Sequence, residues 1–172
     1  MEFKDIMAIA GRPGLYSFIA QGRNSVIVEN IETGKRISAF GSERISSFEE
    51  ISVFTRDGDL PLAELFEILH TKLEGKEAIS PKSKPEELKK VLKQYVPEYD
   101  EDRVYPSDIK KLFSWYNLLV RQDLMKSLLE EYSKKKTEES AETDEEKQSN
   151  AKDKDGGNEK ESPAPEDGSE TK

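Results

Sequence analysis

Apolar positions alternate with polar ones along residues 1–56, and after Arg56 their spacing lengthens to that of helices. The alternating part predicts five short strands, over residues 7–10, 15–21, 25–31, 36–40 and 51–55, rich in β-branched and aromatic side chains. Tyr16, Phe18 and Ala20 fall on one face of the second strand, Val26 and Val28 on one face of the third, and Ile37 and Ala39 on one face of the fourth. Gly11-Arg12-Pro13-Gly14, Gly22-Arg23-Asn24 and Glu32-Thr33-Gly34-Lys35 supply turn chemistry between them. Ser47-Phe48-Glu49-Glu50 has the spacing of a capping box and predicts a single helical turn before the last strand. Four strands, a helical turn and a fifth strand is the order of an SH3-like barrel, and the shortness of every strand ranks it above an OB-type barrel.

The second part predicts helices. Asp59 is placed to cap and Pro61 to enter the first turn of a helix whose Leu62, Leu65, Phe66, Leu69 and Leu73 share a stripe, with Gly75 as its stop. Ser83-Lys84-Pro85-Glu86 opens a second helix carrying Leu88, Val91, Leu92 and Tyr95, which Pro97 ends. A third starts after Ser107 and buries Ile109, Leu112, Phe113, Tyr116, Leu119 and Val120, and Asp123 restarts a further one with Leu124, Leu128 and Tyr132. None is long enough to be stable alone, so each must pack on another element. The expected architecture is therefore α+β: a five-stranded SH3-like β-barrel over residues 1–56, then a helical domain of three to four helices over residues 57–136.

Composition changes the picture at residue 137. Beyond it stand thirteen acidic residues, five lysines, no aromatic residue and no apolar side chain larger than alanine. Such a segment cannot build a core and is expected to be a disordered acidic tail over residues 137–172. The net charge of −9 is concentrated there, since residues 1–56 balance seven acids with seven bases and residues 57–136 sixteen with fifteen. The absence of cysteine and the single histidine, His70, exclude disulfides, thiolate metal sites, thiol catalysis and multi-histidine metal centres. No stretch approaches the roughly 18–20 apolar residues of a membrane span, and the acidic start lacks a signal-peptide pattern. A soluble, cytoplasmic protein is expected, with no membrane contact.

Several segments in order carry a resemblance. Ile6-Met7-Ala8-Ile9-Ala10-Gly11-Arg12-Pro13-Gly14-Leu15, Val26-Ile27-Val28-Glu29, Ile45-Ser46-Ser47, Tyr105-Pro106-Ser107-Asp108-Ile109-Lys110-Lys111 and Ser114-Trp115-Tyr116-Asn117-Leu118-Leu119 resemble a family of small Bacteroidota proteins, a domain of unknown function of the 5606 type. The resemblance covers roughly residues 1–125 and implies a cytoplasmic bacterial protein. It transfers no activity, cofactor or catalytic residue.

Arginine usage is the clearest hint of chemistry. Arg12, Arg23, Arg36, Arg44 and Arg56 lie in the first 56 residues, mostly in turns, whereas eighteen of twenty lysines come later. A guanidinium fork favours bidentate contact with phosphate or carboxylate, so these residues are candidate binding groups for RNA, DNA or an acidic protein. Ordinary solvated charge competes with that reading, because seven acids accompany them. Tyr16, Phe18 and Phe40 could stack bases, although alternation assigns Phe18 to the core. Phe113 and Tyr116 occupy the buried stripe of the third helix and leave Trp115 off it, to cover the barrel or meet a partner.

Other motifs fail. The acids Glu98, Asp100, Glu101 and Asp102 lack an EF-hand glycine and closing glutamate, and Gly34-Lys35 lacks the rest of a phosphate loop. No catalytic residue, cofactor or metal ligand is assigned. The expected role is a non-enzymatic binding or adaptor protein engaging a protein partner through the barrel and helical domain. The alternative is a nucleic-acid or ribonucleoprotein-associated module that uses the barrel arginines, its acidic tail limiting nonspecific binding or competing for the arginines.

Overall fold

The computed structural model describes residues 1–149, with side chains described to residue 138. A 3₁₀ turn, Phe3–Asp5, leads into β1 (Ile6–Ile9), β2 (Tyr16–Gln21), β3 (Ser25–Asn30), β4 (Arg36–Phe40) and β5 (Ile45–Ser47). These pair antiparallel in the order β4-β3-β2-β1-β5. A hairpin of β6 (Ser52–Thr55) and β7 (Gly58–Pro61) follows, then α1 (Leu62–Lys72), α2 (Pro85–Tyr95), α3 (Pro106–Arg121) and α4 (Met125–Ser149). Met1–Lys135 forms one compact unit, and a second begins at Lys136 within α4.

The sheet is open, which corrects the expected SH3-like barrel. Residues 51–55 were the expected closing strand, yet Ser52 pairs with Pro61 and Thr55 with Gly58. A partner across so short a loop costs little closure entropy. The fifth place goes to Ile45–Ser47, with Ile45 opposite Ile9 and Ser47 opposite Met7. The sheet is nevertheless curled. Flat, its edge strands β4 and β5 would lie about 19 Å apart, whereas the five steps from Phe40 to Ile45 span at most about 18 Å. The expected helical turn at residues 47–50 is a non-helical turn in which Ser47 Oγ accepts from the Glu49 amide at 3.3 Å.

Alternation along β1 feeds two cores. Ile6 is fully buried in the larger core and Ala8 packs against it, while Ile9 joins Tyr16, Val28 and Ala39 in a second cluster, with Met7 packed on it. A β-bulge at Ile19 breaks the expected face of β2: Phe18 opposes Val28, but Ala20 opposes Ile27. Phe18, although it precedes the bulge and opposes the buried Val28, is 38% exposed and not a core residue, whereas Tyr16 is buried.

The larger core lies between the sheet, the hairpin and the helices. Phe66 of α1 is its hub, with ring centroids of Tyr116, Phe48 and Phe3 at 5.8, 6.0 and 6.4 Å. The helical stripes are buried as their spacing predicts, with Leu62, Leu65, Leu69, Leu88, Leu92, Ile109, Phe113 and Leu119 in the core. Asp59 does not cap α1, because it is held in β7 opposite Phe54, and Pro61 precedes the helix as its N-cap residue. α2 has Pro85 in its first turn but no side-chain cap from Ser83. Both α1 and α3 end in Schellman turns. The Gly75 amide bonds the His70 carbonyl and the Leu124 amide the Leu119 carbonyl, with Glu74 and Asp123 at φ of 52° and 54°.

α3 also fastens the connection between α1 and α2. Asn117, buried among apolar neighbours, accepts from the Ala78 amide at 2.7 Å and donates to the carbonyls of Ala78 and Ile79 at 3.3 Å. Tyr116 donates to the Lys76 carbonyl at 3.1 Å. Backbone that no helix or sheet satisfies is thus satisfied by two adjacent side chains.

The tail expectation changes in part. α4 runs to Ser149, so residues 137–149, expected to be disordered, have helical backbone, consistent with their richness in strong helix formers. The expectation for residues 150–172 lies outside the described residues.

Candidate binding cleft

The turn after β1 and the start of β5 face α3 across a cleft of about 550 Å³. Ala8, Ala10, Ile51 and Trp115 supply apolar lining, and Arg12, Arg44 and Lys111 supply charge, with no carboxylate side chain lining it among the described residues. A size of a few hundred Å³, apolar walls and a few polar groups are ordinary attributes of a binding site. Sequence builds each wall locally. Gly11 and Gly14, at φ of 80° and 84°, let the chain reverse tightly and carry Arg12 to the rim. At Gly14 a Cβ would stand 3.1 Å from Asn30 Nδ2, so the turn also sits close to β3. On the opposite wall Lys111 and Trp115 are one helical turn apart and project from the same face of α3.

The candidate arginines separate. Arg12 and Arg44 reach the cleft. The Arg12 guanidinium binds Glu43 with Nε and Nη2 both 2.7 Å from Oε1. Glu43 is held below the usual carboxylate range, first by the Phe40 amide and then by Arg12. Arg36 pairs with Glu29 across β3 and β4 at 2.7 Å, Arg23 lies exposed in the β2–β3 turn, and Arg56 in the turn between β6 and β7. The five therefore do not form one surface. Trp115 is half-buried, its ring 5.1 Å from Phe48 at 47°, and it also lines the cleft. Phe18 and Phe40 cannot share a stacking platform, because Phe18 opposes Val28 and Phe40 opposes Ser25, which lie on opposite faces of β3.

Reading the sequence for arginine passed over Lys111 and Ile51, both lining the cleft. The available signal was the four-residue spacing of Lys111 and Trp115. The acidic turn satisfies itself: Asp100 Oδ1 accepts from the amides of Asp102 and Arg103 at 3.0 and 3.2 Å, and Glu101 pairs with Lys93. Among the described residues no three histidine or acidic side chains gather as a metal site, and no helix is long and apolar enough to cross a membrane.

Two family models match consecutive parts of the chain. Residues 3–48 match "Domain of unknown function (DUF5606)" and residues 51–119 match "Domain of unknown function (DUF6852)". A solution NMR structure of a Bacteroides vulgatus protein is 39% identical, with a TM-score of 0.61, over 71% of this chain and 88% of that one. The chain belongs to the DUF5606 family, with DUF6852 following. The junction of the two models falls in the turn after β5, so the β6–β7 hairpin goes with the helices of DUF6852. The cleft is built from both, since Arg12, Arg44 and Ser46 belong to the DUF5606 part and Ile51, Lys111 and Trp115 to the DUF6852 part. A comparison with curated proteins finds no match.

Proposed function

We propose that this protein is a non-enzymatic binding or adaptor protein that holds a protein partner in the cleft between the β1–β5 edge and α3. The observation that carries the reading is the cleft's lining, cationic at Arg44 and Lys111 beside the Glu43-paired Arg12, apolar at Ile51 and Trp115, with no carboxylate among its described residues. A tryptophan beside arginine is the composition of a binding hot spot. A protein partner is favoured over nucleic acid because Arg12 and Arg36 are already neutralised by Glu43 and Glu29, and the exposed aromatics of the sheet face opposite ways. A cysteine-free chain of this kind suits a cytoplasmic setting.

The test is capture from native lysate with the full chain and with its Arg44→Glu/Lys111→Glu variant, each with and without nuclease. A stoichiometric protein retained after nuclease and lost with the variant is the expected result. Capture that vanishes with nuclease would instead place a nucleic acid in the cleft.

A further inference from the structure

A second depression, of about 220 Å³, lies along the same wall of α3, floored by Val53, Phe54, Val104 and Leu112. It shares Ile51, Lys111 and Trp115 with the cleft, so the two depressions adjoin along one wall of α3 with Trp115 at their boundary. Its far end carries Arg103, whose guanidinium carbon stands 3.7 Å from the centre of the Phe54 ring. That stacking holds the cation against the ring, and Arg103 has no ion pair among the described residues. Among the described residues Asp108 is the one carboxylate lining either stretch, and Lys111 faces it at 3.4 Å. Arg44 has no ion pair among the described residues.

We infer that this groove takes an extended acidic peptide segment of a partner protein, an apolar or aromatic anchor lying against Trp115 and carboxylates on either side meeting Arg44 and Arg103. This deepens the adaptor reading and rests on it. Charge complementarity selects the occupant. Arg44 and Arg103 line the groove with no ion pair among the described residues, beside Arg12, which is held by Glu43, and Lys111, which faces Asp108, while the lining is otherwise largely apolar along both stretches. A basic segment would meet unpaired like charge, and a wholly polar acidic one would leave the floor wet. A short ligand would use one stretch only, whereas an extended one is long enough to reach both cationic ends.

Trp115 is the single tryptophan of the chain, so its fluorescence reports on the junction directly. The experiment selects random twelve-residue peptides on the immobilised full chain and then titrates the winners against Trp115 emission. The expected winners are enriched in aspartate and glutamate around an aromatic or aliphatic residue and change the emission saturably. Their affinity should fall at least tenfold in Arg44→Glu and in Arg103→Glu, yet stay within twofold in the remote Arg23→Glu. Winners without acidic enrichment, binding that leaves the emission unchanged, or equal binding by the Arg44 and Arg103 variants would overturn the inference. Displacement of the winners by a uridine oligonucleotide at similar concentration would overturn it too. If lysate capture succeeds and peptide selection fails, the adaptor reading stands and only this occupant is wrong.

Discussion

Arg12 and Glu43 meet at 2.7 Å and tie the β1–β2 turn to the loop joining the sheet's two edge strands. The same carboxylate accepts from the Phe40 amide at 3.0 Å through its other oxygen. One side chain thus holds both the tight β4–β5 loop and the β1–β2 turn. Glu43→Ala should lower the thermal midpoint more than Arg12→Ala, because only the first removes the bond to the Phe40 amide as well as the ion pair. The carboxyl is held below its ordinary value of 4.5, so its contribution is present above that pH and fades as pH falls through the depressed value. The gap in midpoint between the parent protein and Glu43→Gln should therefore narrow on acidification.

Asn117 predicts a large loss from a polar truncation. Asn117→Ala would orphan the Ala78 amide and two carbonyls in a partly buried site, at a cost of about 2–3 kcal/mol. Urea unfolding measures it. Tyr116→Phe keeps the ring and should cost only about 1 kcal/mol. A cost below that of Tyr116→Phe for the asparagine variant would mean that the loop does not depend on it.

Alkaline stability should carry the signature of Tyr116. Burial, and then the neighbouring Tyr95, push its hydroxyl up from 10 to about 12. Above pH 10 the unfolded chain releases this proton before the folded one does, so stability is intact below pH 10 and declines between there and about 12. Tyr116→Phe should flatten the decline in unfolding experiments across that window. Tyr99, also raised, first by burial and then by Glu101, leaves a residual slope.

Two helix ends hold a non-glycine residue in the left-handed region. Glu74→Gly should stabilise by about 0.5–1 kcal/mol, since a Cβ there is unfavourable and the Schellman bonds are already in place. Asp123→Gly should gain less, because aspartate tolerates this conformation better. Thermal unfolding of the two variants should show both the sign and the order.

Arg44→Glu and Lys111→Glu should change stability by no more than about 0.5 kcal/mol, as expected of exposed positions. Urea midpoints close to the parent value would make any loss of binding by these variants a property of the cleft. A large shift would assign them to the fold instead.

Helix type and stripe were legible in the sequence because a period of 3.6 is a local property: Leu62, Leu65, Phe66 and Leu69 choose their buried face before anything packs on it. The first four strands were legible for the same reason. Strand partnership was not, since residues 51–55 satisfy a strand pattern whether they close a barrel or turn back on Gly58–Pro61, and the outcome depends on which edge is nearer in chain entropy. The bulge at Ile19 was equally hidden, and it decided that Ala20 would leave the face of Tyr16 and Phe18. At the candidate site, Lys111 and Trp115 were visible as one face of a helix. Only the tertiary structure could bring that face opposite Arg12 and Arg44 and commit Arg36 to Glu29, because charge pairing and cleft formation join residues far apart in the chain, and composition carries no distances.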